Sequence, residues 1–150
     1  MLGQGGWALV ADGEKALFLE NIGDADLPDF RIKTVEEHPL PHSNADVATD
    51  RPGRYPDPAA GRSAVEQPDY KQLERARFAA EIAALLNTAV AKGDCRELAI
   101  FAPPSILGEL RKELPEAVTA RLIGAFDKDY ASLPTDEMET RVVSALRGTV

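Results

Sequence analysis

A chain of 150 residues with 44% hydrophobic content is long enough for one domain, which can bury roughly 70% of the surface that the unfolded chain exposes. The net charge of -8 argues against broad attraction to nucleic-acid phosphates, because that attraction depends on many Lys and Arg contacts. The single cysteine, Cys95, excludes an internal disulfide, and no stretch approaches the roughly 20 apolar residues of a membrane-spanning helix.

The first third of the chain predicts an antiparallel meander of three strands. Residues 7–11 and 16–20 are apolar runs joined at Asp12-Gly13, a pair that supplies the positive φ of a tight hairpin turn. In residues 30–35, Phe30, Ile32 and Thr34 alternate with the charged residues Arg31 and Lys33. This alternation predicts a half-buried third strand.

The chain is expected to form one domain, residues 7–150, behind a flexible tail of residues 1–6. The tail carries no positive charge, and the apolar run that follows it is too short for a signal peptide. With a lone cysteine and no membrane span, these features predict a soluble cytoplasmic protein that has no membrane partner. The oligomeric state stays open.

Residues 36–69 contain six prolines, two glycines and two histidines without a sustained period, so neither helix nor strand is favoured. Loops longer than about 15 residues are uncommon in compact domains and are usually functional or disordered. Between residues 51 and 63, three arginines against one aspartate make the segment locally cationic. Such arginines are suited to phosphate or carboxylate recognition. The candidate binding residues of this loop are Asp50, Arg51, Gly53, Arg54, Gly61 and Arg62.

The remainder of the chain predicts the order helix, strand, helix, strand, helix. Asp69 is expected to cap a long helix that ends at Lys92-Gly93. The apolar face of this helix is formed by Phe78, Ile82, Leu85, Leu86 and Ala89. Residues 98–102 are an unbroken apolar run, which is typical of a central strand that is covered on both faces.

Further along, Ser105 is expected to cap a short helix that Pro115 stops. Residues 121–126 are interpreted as a strand, with a helix as the open alternative. Thr135 is expected to cap a last helix that ends near Leu146. The economical fold is a layered α/β domain with a mixed sheet: a three-strand meander, a long loop, then αβαβα.

The sequence identifies no metal site, no cofactor and no catalytic residue. His38 and His42 lie near Asp46 and Asp50, but the prolines around them exclude the helix on which that spacing would bind a metal. The candidate nucleophiles are Ser43, Ser63, Ser105 and Cys95. None of them lies in a G-x-S-x-G elbow, and Cys95 is better explained as a small buried thiol. A non-enzymatic protein is therefore favoured.

One enzymatic alternative is a metal-dependent phosphodiesterase or nuclease. Asp12 follows one predicted strand, and Asp127 and Asp129 follow another, so the three carboxylates could surround magnesium. The competing interpretation is structural, because Asp is common in turns for local hydrogen-bonding reasons.

Several short motifs occur together in one order along the chain. They are Trp7-Ala-Leu-Val-Ala-Asp-Gly13, Ala16-Leu-Phe18, Asp50-Arg-Pro-Gly-Arg54, Phe78-Ala, Ala102-Pro-Pro and Leu107-Gly-Glu-Leu-Arg111. In this combination the chain resembles the bacterial host attachment protein family, named for proteins required for attachment to host cells. The resemblance extends from about residue 7 to residue 146.

That family is similar to the central domain of archaeal and eukaryotic peptide-chain release factors, which implies an RNase H-like layered architecture. In those factors a long loop before a helix carries the Gly-Gly-Gln tripeptide of peptide release. Here the corresponding residues 61–67 contain no such tripeptide, and Gln4 lies outside the loop. The resemblance implies ribosome or tRNA contact through Arg51, Arg54 and Arg62 and an indirect role in attachment. A protein-interaction scaffold is the other open alternative.

Overall fold

The computed structural model describes residues 2–37 and 70–148, and in this part of the chain five strands form one mixed sheet. In chain order they are β1 (Trp7–Ala11), β2 (Lys15–Asn21), β3 (Phe30–Glu37), β4 (Leu98–Ala102) and β5 (Leu122–Asp127). Their order across the sheet is β3-β2-β1-β4-β5. β1, β2 and β3 pair antiparallel, whereas β1, β4 and β5 run parallel. The predicted meander and the predicted mixed α/β sheet are confirmed.

Helices cover both faces of this sheet. The helices in the described residues are α1 (Tyr70–Lys92), α2 (Pro104–Glu113), α3 (Glu116–Thr119) and α4 (Thr135–Arg147). One apolar cluster packs between the sheet and α1 and α2, and a second packs between the sheet and α4. Every residue of β4 is buried between these clusters, as its unbroken apolar run predicts. None of the described helices is long and apolar enough to cross a membrane.

The turn between β1 and β2 forms by a different route from the one predicted. Gly13 is not among the described glycines with positive φ. Instead, Oδ1 of Asp12 accepts hydrogen bonds from the backbone N–H groups of Glu14 at 2.7 Å and Lys15 at 2.8 Å. The carboxylate therefore closes the turn itself, a role for which Asp is well suited.

β3 is more exposed than a half-buried strand. After the buried Phe30, every residue of the strand is exposed except the half-buried Glu36. A register shift between Phe18 and Leu19 places Ile32 opposite Leu19 but Thr34 opposite Phe18. Because paired residues share a face, Ile32 and Thr34 lie on opposite faces, and the predicted alternation is wrong beyond Ile32.

α1 buries most of the apolar face predicted for it, including Phe78, Ile82 and Leu86. Leu85 is the exception, because it is 42% exposed to solvent. The helix ends where Gly93 adopts a φ of 82°, the left-handed conformation that favours glycine after a helix. The predicted cap, Asp69, lies outside the described residues.

Prolines begin both α2 and α4. The N-cap of α2 is Pro103, with Pro104 as its first residue, and the N-cap of α4 is Pro134. Neither cap forms a side-chain hydrogen bond, so the predicted capping roles of Ser105 and Thr135 are wrong. Proline suits the first helical position, which Pro104 occupies in α2, because it has no N–H group to leave unpaired and its φ is already helical.

The residues before β1 pack against the domain, where the sequence predicts a flexible tail. Leu2 is fully buried, and its carbonyl oxygen accepts a hydrogen bond of 3.0 Å from Nδ2 of Asn21. Oδ1 of Asn21 in turn accepts from the backbone N–H groups of Gly23 at 3.0 Å and Asp29 at 2.9 Å. This buried amide ties together the N-terminal residues and the loop that leads into β3.

Candidate functional site

The candidate binding residues predicted from the sequence all lie in residues 38–69, outside the described part of the chain. They are Asp50, Arg51, Gly53, Arg54, Gly61 and Arg62. His38, His42 and Asp46 lie in the same segment. The structure shows where this segment leaves and rejoins the domain, and the roles of its residues stay predictions.

Both ends of the segment lie toward one edge of the sheet, where the parallel strands β1, β4 and β5 end. We call this the carboxyl edge. Glu37, the last residue of β3, pairs with Lys15 directly after the β1–β2 turn. The 23 residues of α1 span roughly 34 Å and lead to the start of β4 at the opposite edge, so Tyr70 lies toward the carboxyl edge. In α/β sheets, ligands bind preferentially at this edge.

A cleft of about 400 Å³ lies at the carboxyl edge, where the β1–β2 turn, the end of β3 and the loop after β5 meet. We call it the carboxyl-edge cleft. It is lined by Asp12, Glu14, Lys15, Glu37 and Ser132. The turn described above fixes the Asp12 carboxylate, and the antiparallel pairing of β2 with β3 brings Lys15 next to Glu37.

The charge of the cleft limits the groups that it can bind. Among the described lining residues three carboxylates face one ammonium group, so this part of the lining carries a net negative charge. Such a surface accepts hydrogen bonds from amine, guanidinium or amide N–H groups and repels phosphate. These five described residues are therefore poorly suited to phosphate.

The three aspartates of the phosphodiesterase alternative do not form a metal site. Among the described residues, which include all three, no group of three or more His, Cys, Asp or Glu side chains is arranged to hold a metal ion. Asp12 is engaged in its turn, and Asp127 and Asp129 are exposed. The structural interpretation of Asp12 as a turn residue is confirmed.

Cys95 is a buried thiol, as predicted. Only 1% of its surface is exposed, and its Sγ donates a weak hydrogen bond of 3.6 Å to the carbonyl oxygen of Glu97. Burial raises the pKa of the thiol to about 11, and the positive charge of Arg121 offsets this only in part. The thiolate needed for nucleophilic attack is therefore scarce at neutral pH.

Sequence reasoning missed four of the five described residues that line the carboxyl-edge cleft, namely Glu14, Lys15, Glu37 and Ser132. Only Asp12 was considered, and for a different role. A usable signal was the strand order: once residues 7–11, 98–102 and 121–126 are taken as parallel strands, the residues that follow them meet at one edge. The contribution of Glu37 depends on the antiparallel register of β3, which no local pattern encodes.

Comparison with known proteins agrees with the five-stranded sheet and its helical layers. A family model described as bacterial archaeo-eukaryotic release factor family 12 matches residues 6–142. A comparison with curated proteins gives no significant match. The release-factor part of the resemblance is confirmed, and the host attachment part stays a hypothesis. Because the match covers nearly the whole chain, this protein belongs to the bacterial archaeo-eukaryotic release factor family 12.

Proposed function

We propose that the chain is a translation-related binding module that contacts the ribosome or tRNA through Arg51, Arg54 and Arg62. The observation that carries this proposal is the family match over residues 6–142, because the family is named after archaeal and eukaryotic release factors. In this proposal residues 7–150 act as one binding domain in the cytoplasm. Any effect on attachment to host cells is then indirect.

The charges of the chain indicate that the contact is local. At a net charge of -8 the protein as a whole is repelled by RNA, and the described lining residues of the carboxyl-edge cleft are negative in sum as well. Arginine side chains are planar donors that bind phosphate oxygens through two parallel hydrogen bonds. The three arginines are therefore the residues that we propose for the local contact, in the segment between Glu37 and Tyr70.

The proposed module is not a peptide-release catalyst of the Gly-Gly-Gln type. The tripeptide occurs nowhere in the 150 residues. Cys95 is buried, and among the described residues Asp12, Asp127 and Asp129 belong to no group of three that could hold a metal ion. We expect no release of peptide from peptidyl-tRNA on ribosomes that carry the purified protein, and release above the uncatalysed rate would contradict the non-enzymatic part of the proposal.

Co-sedimentation with ribosomes tests the binding proposal. Reversing Arg51, Arg54 and Arg62 to Glu should remove the protein from the ribosomal pellet without changing its melting temperature. A matched control reverses Arg96, Arg111 and Arg141, which are exposed on the described surface, and changes the net charge by the same amount. The control should still sediment with ribosomes. If both variants lose binding equally, overall charge is responsible and the assignment to the loop fails.

Salt dependence sharpens the same experiment. Three arginine–phosphate contacts release about three counterions, so raising the salt from about 50 to 200 mM should weaken binding roughly 20- to 40-fold. Nuclease treatment distinguishes RNA binding from the protein-interaction scaffold, because a protein partner would stay bound after the RNA is removed. A complex that is insensitive to both salt and nuclease would contradict the proposal.

A further inference from the structure

The outer edge of β5 is not used by the proposed function. β5 is the last strand of the sheet, and within residues 2–37 and 70–148 it pairs only with β4. An edge strand presents unpaired backbone N–H and C=O groups that can pair with a further strand. Proteins usually block such an edge with charged side chains, a bulge or a covering segment.

Side chains block β3 but not β5. β3 carries four charged residues: Arg31, Lys33 and Glu37, which are exposed, and Glu36, which is half-buried. Residues 122–126 of β5 carry no charge at all, and Ile123 is 44% exposed. Both edges contain a register shift, so charge is the feature that distinguishes them.

The two ends of β5 indicate which strand it can pair with. Arg121 stands immediately before β5 and Asp127 ends it, and both are exposed. If β5 pairs antiparallel with β5 of a second copy, with Gly124 on the twofold axis, Arg121 of each copy faces Asp127 of the other. The inner pairs are then Leu122 with Phe126, Ile123 with Ala125, and Gly124 with Gly124.

This arrangement is self-complementary, because a twofold axis makes every contact occur twice. Parallel pairing in register would instead place like charges opposite each other at both ends of the strand. Charge pairs of this kind contribute little affinity at a surface but fix direction and register.

We infer that two copies of this chain associate through β5, antiparallel and centred on Gly124, into one continuous sheet. The association is open to direct measurement by sedimentation or light scattering over about 10–500 µM protein. An ionic strength near 0.15 M should be used, because it screens the mutual repulsion of two acidic copies. The mass should rise from 16.2 kDa toward twice that value as the concentration increases.

Matched isoleucines on the two edges locate the interface. Ile123→Lys puts a charge on the β5 edge and should raise the dissociation constant at least about tenfold. Ile32→Lys makes the same change on β3, where the residue is 37% exposed, and should leave the dissociation constant unchanged. Trp7 fluorescence on heating checks that each variant is folded, because Trp7 is the single tryptophan and is buried.

Charge exchange tests the register independently of Ile123. Arg121→Asp and Asp127→Arg should each dimerise more weakly alone than the parent protein, because like charges then face each other in the homodimer. An equimolar mixture of these two variants should form a heterodimer, because every charge again meets its opposite. Recovery on mixing cannot arise from damage to the fold, so it would support this register specifically.

Three results would overturn the inference. They are a protein that is monomeric over the whole concentration range, a dimer that Ile32→Lys disrupts as much as Ile123→Lys does, and charge variants that do not recover on mixing. The first would show that the β5 edge stays unpaired in solution. The other two would show that a dimer forms through another surface or in another register.

Discussion

The two edge strands of the sheet differ in how they are anchored and in what they present to solvent. β3 is anchored by polar contacts: Asn21 organises the loop before it, and Lys33 pairs with Glu20 and lies over the ring of Trp7. β5 is anchored by apolar contacts, since Phe126 stacks on Phe101 at a centroid distance of 4.7 Å.

This difference shows how one sheet can contain an edge strand that stays hydrated and unpaired and another that is suited to pairing with a further strand. A strand whose side chains are mostly charged keeps its edge hydrated, at the cost of burying little apolar surface. A strand without charges packs better against the core but leaves an edge that favours association. The following substitutions test the anchoring of each strand.

The largest effect is expected where β3 begins. Asn21→Ala should lower the free energy of unfolding by roughly 2–4 kcal/mol, because the buried carbonyl of Leu2 and the part-buried N–H groups of Gly23 and Asp29 lose their partner. Urea unfolding followed by Trp7 fluorescence measures this change. Asn87→Ala, on the exposed face of α1, is the control and should stay within about 0.5 kcal/mol of the parent. Equal effects of the two substitutions would contradict a structural role for the Asn21 amide.

A smaller loss is expected at β5. Phe126→Ala removes the stacked ring, which also lies over Gly124, where a Cβ atom would come within 3.1 Å of the ring. Because Phe126 is only half-buried, we expect a loss of about 1–3 kcal/mol, below the cost of a fully buried Phe. Unfolding should be measured at low protein concentration, so that association does not contribute. A loss below that of Ile32→Ala would show that the stacking does not anchor β5.

The contacts of Lys33 should contribute less. Its ion pair with Glu20 at 3.3 Å is largely exposed, and its ammonium group lies 5.7 Å from the centre of the Trp7 ring. Lys33→Met keeps the aliphatic stem and removes the charge, so the loss should be about 0.5 kcal/mol. Because salt screens such contacts, the difference should shrink at about 1 M NaCl. A loss that does not depend on salt would assign the effect to packing.

The smallest effect is expected at Glu139, on α4. Burial, and then the negative charge of Asp29, raise the pKa of the Glu139 carboxyl above its usual value of 4.5, while Arg31 opposes the shift. With a raised folded-state pKa, the native state binds this proton more tightly than the unfolded state. Stability is then lost as the pH rises from the unfolded toward the folded pKa.

Glu139→Gln should therefore raise the melting temperature at pH 7, by about 1–2 °C after allowance for solvent screening. The difference should vanish near pH 3.5, where the carboxyl is protonated in both states. Thermal unfolding at the two pH values checks this prediction. A lower melting temperature at pH 7 would show that attraction to Arg31 outweighs burial.

Sequence reasoning located the elements whose signals are local. The strands at residues 7–11 and 98–102 are apolar runs between turn residues, and α1 shows helical periodicity over more than 20 residues. The bulge that turns Thr34 away from the face of Ile32 could not be predicted, because it depends on pairing with Phe18 and Leu19. Capping by Pro103 and Pro134 was missed because hydroxyl side chains next to them offered a more familiar signal.

The site was harder to predict than the fold, because its residues come together only through contacts between distant segments. Asp12 could be recognised as a turn residue, but Glu37 and Ser132 join it only through strand order and register. The role of Asn21 depends on Leu2, 19 positions away, and a polar residue at the end of an apolar strand gives no sign of burial. Contacts between distant segments are what local patterns leave undetermined.

The buried thiol of Cys95 can be used to measure the rate of local opening. It lies between α1 and β4, and with a pKa of about 11 and 1% exposure it should react with thiol reagents only when this junction opens. Because the chain has a single cysteine, the labelling rate would report one opening event at one place. Labelling of the unmodified protein at Cys95 could thus be followed by mass spectrometry, without any introduced probe.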